Sequence, residues 1–171
     1  MITISSPKIK SFSQKNYNEI IDNLPFHSIT CTCGQIGQLI RHGYYTRSIK
    51  TPEGLKTLDI LRVKCNFCNK THALLLEFIV PYSRIVLKDH LSIIKSYENR
   101  QSYEPIMLSN PNIDECNISY VIKQYLCHWK QKLFAFGLNI NDSITKNCFS
   151  IFERQFMQIK RGLNIFFLET T

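Results

Sequence analysis

The chain's 171 residues and 20.0 kDa, 44% of them hydrophobic, suffice for one ordinary domain or two small ones. The opening Met1-Ile2-Thr3-Ile4-Ser5-Ser6-Pro7 lacks the basic region and long apolar run of a secretory signal. No stretch approaches the roughly 18 apolar residues of a membrane span, so a soluble, cytoplasmic protein is expected. The net charge of +8 and pI near 9.2 admit an acidic partner such as nucleic acid, and the charge is concentrated: residues 28–85 carry eight Lys/Arg against Glu53, Asp59 and Glu77, net +5, whereas 1–27, 86–136 and 137–171 are each +1.

Residues 1–27 read as a polar arm followed by a short helix, Gln14 to Asn23, stopped by Pro25. Then come two cysteine knuckles, Cys31-Thr32-Cys33-Gly34 and Cys65-Asn66-Phe67-Cys68, separated by 31 residues. Zinc takes four soft or borderline ligands tetrahedrally, and short Cys-containing turns deliver two sulfurs each. The odd total of seven cysteines and the knuckle spacing point to a reducing compartment and a metal rather than disulfides. Cys31, Cys33, Cys65 and Cys68 are the expected ligands. The first pair is spaced by one residue where two are usual, so a histidine (His72, His42 or His27) in place of one cysteine is an open alternative, and buried free thiols are the plain one.

Between the knuckles the pattern has period two. Leu39 to Tyr44 alternates, Thr51-Pro52-Glu53-Gly54 supplies turn chemistry, and Leu58 to Val63 returns to the second knuckle; Leu74 to Val80 adds a third strand before Pro81. Residues 28–84 thus read as a small three-stranded antiparallel zinc ribbon, with metal binding supplying folding free energy that so thin a core cannot.

From Ile85 the period turns helical, giving an overall α+β class. Helices are expected over Ile85 to Tyr97, over a short segment capped by Ser102 with Pro105 in its first turn, and over Glu115 to about Phe136 with Asp114 as N-cap. Medium, short and long helices over residues 85–136 match a helix-turn-helix layout. The long helix then presents Tyr120, Lys123, Gln124, Lys130 and Gln131 opposite its apolar set, residue types suited to base edges and phosphates. An ordinary bundle with a polar face fits the same pattern. Residues 137–171 predict an amphipathic helix from Asp142 through Ile159, closing at Arg161-Gly162, and a short apolar tail from Leu163 to Leu168.

Cys127 and His128 diverge by 100° on a helix and cannot share an ion, Cys116 and Cys127 lie about 16 Å apart along the axis, and Trp129 reads as core. The thirteen acidic residues are scattered, and the pairable cysteines are committed to the metal, so neither a two-metal nor a thiol-based active centre is expected and the chain reads as a non-enzyme.

Cys31-x-Cys33-Gly34, Leu39-Ile40-Arg41-His42-Gly43-Tyr44-Tyr45, Thr51-Pro52-Glu53-Gly54, Leu61-Arg62-Val63-Lys64-Cys65-x-x-Cys68 and Thr71-His72-Ala73-Leu74-Leu75, ending Val80-Pro81-Tyr82-Ser83, resemble the zinc-ribbon heads associated with insertion-sequence transposases. More narrowly, with Asn117-Ile118-Ser119-Tyr120 through His128-Trp129-Lys130-Gln131, they resemble an uncharacterised family of small proteins of low-GC bacteria and their mobile elements. The resemblance implies a DNA-binding head without a catalytic domain. Two functions are expected on this reading. One is a zinc-stabilised binder of duplex DNA, a transposition accessory or regulator, gripping phosphates through Arg41, Arg47, Lys56, Arg62, Lys64 and Lys70. The other is a zinc-stabilised module engaging a protein such as a transposase or nuclease as inhibitor or adaptor.

Overall fold

The computed structural model describes residues 1–5, 13–141, 143–159 and 167–169. It is a mixed α+β fold that divides into two compact units interleaved along the chain: Met1–Arg47, Thr57–Glu77 and Gly162–Thr171 form the first, Ser48–Lys56 and Phe78–Arg161 the second. Among the described residues no helix is long and apolar enough to cross a membrane.

The first unit is built on a five-stranded sheet. Strand β1 is Ile2–Ser5, and helix α1, Gln14–Asp22, follows. The Ser13 side chain accepts from the Asn16 amide to cap α1, while Tyr17 and Ile21, one turn apart, are its buried residues. Strands β2 (Leu39–Thr51) and β3 (Gly54–Cys65) form a hairpin through Pro52-Glu53, where the Thr51 hydroxyl lies 2.9 Å from Glu53 and 3.0 Å from the Gly54 carbonyl. The hairpin's end, 48–56, groups with the second unit. Strand β4 (Thr71–Leu76) runs antiparallel to β3, with Arg62 opposite Ala73, Val63 opposite His72 and Lys64 opposite Thr71.

The expected three-stranded antiparallel sheet is enlarged by β1, which lies parallel to β4 with Ile2 opposite Leu74, and by a strand over Phe167–Glu169 that pairs parallel to β1 on its far side. The strand order is therefore β2-β3-β4-β1, then 167–169. Ile2, Thr3 and Ile4 are fully buried, as a central strand requires. The opening residues are thus an interior strand and not a polar arm.

The second unit is helical: α2 (Leu87–Glu98), α3 (Glu104–Ser109), α4 (Glu115–His128), α5 (Lys130–Ala135) and α6 (Ile144–Phe152). Counted after them, the 167–169 strand is β5. Val86 is held extended by a bridge to Ile79, so α2 starts two residues later than its periodicity predicts. Asp114 caps α4 in a reciprocal box: its carboxylate accepts from the Asn117 amide at 2.8 Å, and the Asn117 side chain accepts from the Asp114 amide at 3.4 Å. The core gathers Ile94, Ile118, Val121, Tyr125, Trp129, Leu133, Ile144, Cys148 and Phe156.

The predicted long helix is two. Trp129 leaves helical geometry (φ −125°, ψ −41°), and the bend seats its indole edge-on against Phe156 at 5.3 Å and Phe152 at 6.0 Å between ring centres. The last helix is also shorter than expected, because Glu153 closes α6 in a left-handed conformation, φ 52°, with its amide on the Phe149 carbonyl. The predicted start at Asp142, the closure at Arg161-Gly162 and the tail segment 163–166 lie outside the described residues.

Candidate metal centre

Each knuckle is a backbone-locked turn. In the first, the Gly34 amide donates to the Cys31 carbonyl at 2.8 Å and the Cys31 amide to the Gln35 carbonyl at 2.7 Å, closing a tight turn with both sulfurs on it. Gly34 takes φ +89°, and Gly37 takes φ +68° where a side chain's first carbon would stand 2.7 Å from the His27 carbonyl oxygen. In the second, Asn69 donates to the Cys65 carbonyl at 2.9 Å from a left-handed φ of 60°, and Cys65 donates to the Lys70 carbonyl at 3.0 Å. The Asn66 amide reaches the Gln38 carbonyl at 2.9 Å and ties the second knuckle to the chain leaving the first.

These turns bring the sulfurs of Cys31, Cys33, Cys65 and Cys68 within 4.8 Å of one another; among the described residues no other group of three or more metal-ligating side chains converges. Cys31 and Cys68 are 3.6 Å apart and Cys33 and Cys65 3.8 Å. A tetrahedron with metal–sulfur bonds of about 2.3 Å has edges of about 3.8 Å, whereas a disulfide needs about 2.05 Å. The donor set therefore fits one tetrahedral metal ion. Cys31 and Cys65 are buried, Cys33 and Cys68 half-buried.

The electrostatics agree. Burial pushes the Cys31 thiol up to about 12. At Cys65 burial acts in the same direction, but the amides of Cys68 and Phe67 and the neighbouring thiols outweigh it and bring the group down to about 7. Four thiolates in this volume repel one another, and only a cation at the centre lets them ionise together.

His72, buried opposite Val63 on β4, places Nε2 3.4 Å from the Cys31 sulfur. Burial, reinforced by the charges on the Met1 ammonium and then Lys70, holds its imidazole down near 4, so a neutral ring stands beside the cluster where it can donate to a thiolate. The other two candidate histidines, His27 and His42, are exposed and outside the sulfur group.

The ten residues expected at a nucleic acid are more dispersed. Arg41 is bound to Asp22 at 2.7 Å and stacked over Phe26, and Lys56 pairs with Glu53 at 2.8 Å. Arg47 is half-buried and Lys70 exposed. Arg62 and Lys64 share one face of the β3–β4 pair, opposite Ala73 and Thr71. On α4, Tyr120 and Lys123 are exposed, while Gln124 is half-buried with its side-chain carbonyl unpartnered. Lys130 sits beyond the Trp129 break, on α5, paired with Glu98 at 3.0 Å.

Sequence reasoning missed Gly37, Gln38 and Asn69 as residues that shape the cluster. The usable signal was Asn69 directly after Cys68, since asparagine tolerates the left-handed turn that ends such a knuckle.

A family model described as a domain of unknown function (DUF6431) matches residues 30–111, from just before the first knuckle to just after α3. No curated protein and no solved structure matches the chain.

Proposed function

We propose that the chain is a zinc-stabilised, non-enzymatic binder of duplex DNA, serving a mobile element as a transposition accessory or regulator. The observation that carries it is the four-sulfur cluster, with two sulfur–sulfur edges of 3.6 and 3.8 Å, set at the end of a strand pair whose outer face bears Arg62 and Lys64. Four thiolates select zinc among the common divalent ions that need no redox chemistry, and zinc bound there supplies the cross-link that fixes both knuckles. In this reading the knuckles and β2–β4 act as a ribbon, with Arg62, Lys64 and Lys70 neutralising phosphates, while α2, α3 and α4 supply a helix-turn-helix layout in which Tyr120 and Lys123 face the bases.

A second reading, a protein-binding adaptor or inhibitor, is favoured by one specific feature. The knuckle tips carry Ile36 and Phe67 at 62% and 67% exposure, and apolar tips suit a protein better than a phosphate backbone.

The deciding experiment combines elemental analysis with salt-titrated binding to duplex DNA, single-stranded DNA and RNA. About one zinc per chain and a log–log salt slope that flattens by one to two units in Arg62→Ala/Lys64→Ala are expected. Tyr120→Ala/Lys123→Ala should remove sequence preference while weak binding persists. A folded, metal-free protein refutes the zinc site. Zinc with no DNA affinity at low salt, joined to loss of a defined protein partner in Phe67→Ser, replaces the first reading by the second.

A further inference from the structure

The break at Trp129 does more than seat an indole. Directly after it Lys130 pairs with Glu98 in the last turn of α2, and an open groove of ≈490 Å³ is lined by residues of α2, α4 and α5 and by residues 138–140. That volume lies within the range of small-molecule sites. One wall is apolar, formed by Leu133, Leu138 and Ile140, with Phe134 at 88% exposure on the lining. The other is polar. The Lys130 ammonium is held by Glu98 at 3.0 Å and lies over the Tyr97 ring; burial of the Tyr125 hydroxyl, and after it the nearby Glu98 charge, raise that hydroxyl above the usual tyrosine range. Lys130 and Glu98 therefore cancel. Lys95, exposed and on the same lining, makes no ion pair among the described residues, which leaves the described lining one positive charge in excess.

We propose that this groove binds a small amphipathic monoanion, an apolar carboxylate, with its head at Lys95 and its hydrocarbon body against Leu133, Leu138 and Ile140 beneath Phe134. A single uncompensated cation beside an apolar wall selects a monoanion over a polyanion such as nucleic acid, whose binding needs several neutralised phosphates. A ring as exposed as Phe134 gains most from an occupant that removes it from water. The site goes beyond the DNA-binding reading and uses none of the metal-cluster residues.

The test uses the full zinc-replete chain and decanoate as the probe. Calorimetry reads occupancy and stoichiometry, and the fluorescence of Trp129, the chain's one tryptophan and the neighbour of Lys130 in the lining, is followed alongside it. Saturable one-to-one binding is expected, weakened more than tenfold for hexanoate, which buries fewer methylenes. Lys95→Gln, at an exposed position that leaves folding intact, should weaken decanoate about tenfold and leave uncharged decanol unaffected. Leu138→Asp should weaken both ligands. Absence of saturable binding, equal affinity for decanoate and decanol, or a Lys95→Gln variant with unchanged decanoate affinity each overturns the proposal.

Discussion

Replacing Tyr17 by phenylalanine removes one oxygen atom and should be among the most damaging conservative changes in the first unit. The Tyr17 hydroxyl donates to the Leu74 carbonyl at 3.0 Å and accepts from the Leu61 amide at 2.9 Å, in a side chain 1% exposed. The β3–β4 ladder runs through Lys64–Thr71, Val63–His72 and Arg62–Ala73, and at the next position, Leu61 and Leu74, the hydroxyl bridges the two backbones. Phenylalanine leaves a buried N–H and a buried C=O unpaired. At about 1–3 kcal/mol for each orphaned group the loss is roughly 2–6 kcal/mol, a large share of the roughly 5–15 kcal/mol typical of a domain. Denaturant unfolding followed by far-ultraviolet circular dichroism measures it, and hydrogen exchange at the Leu61 amide localises it. A Tyr17→Phe variant within 0.5 kcal/mol of the parent, with Leu61 still protected, would refute the bridge. Burial raises the Tyr17 hydroxyl above its ordinary value, so its stabilisation is fully present below about pH 10 and is lost as pH rises beyond that, where the unfolded tyrosine ionises first.

His90, buried on α2 with Nε2 2.9 Å from the Ser83 hydroxyl, is held down to about 3 by burial. Its folded value lies below the unfolded 6.5, so stability present above pH 6.5 is lost as pH falls, about 2 kcal/mol by pH 5; unfolding measured at pH 7 and pH 5 should show that part of the loss vanish in His90→Gln. Gly37→Ala forces a side chain into a left-handed φ and against the His27 carbonyl, and thermal melts should show a loss of more than about 1 kcal/mol together with weaker metal retention. Cys65→Ser and Cys68→Ser should release the metal in a chelator competition and melt the knuckles; if Cys31→Ser keeps zinc while His72→Ala loses it, the fourth ligand is the imidazole.

Features whose cause is local were legible in the sequence. Asp114 before the long apolar period, Thr51-Pro52-Glu53-Gly54 between alternating runs and the four knuckle cysteines all act through neighbours a few positions away, and all sit in the structure as the residues predict. What escaped depends on distant partners. Ile2–Ser5 is only four residues long, too short for period two to register, and it is a strand because the edge of β4 receives it. The break at Trp129 lies inside an unbroken apolar period and is set by Phe152 and Phe156, more than twenty positions later. The dispersion of the expected DNA-contacting cations follows likewise from Asp22, Glu53 and Glu98, carboxylates that charge counting along the chain does not pair with them.

The place of β1 in the sheet sets an order of events. Lys64 and Thr71 meet across seven positions, so the second knuckle and the β3–β4 pair close early, at small loop entropy. Ile2 must find Leu74, and Thr3 must find Phe167, near the far end of the chain, before the sheet is complete. A nascent chain therefore carries β1 long before its last neighbour exists, and the outer edge of β1 stays unpaired until Phe167–Glu169 arrives. The slow step of folding falls on this non-local pairing, and until it happens the protein presents an open strand edge to every other unfinished copy.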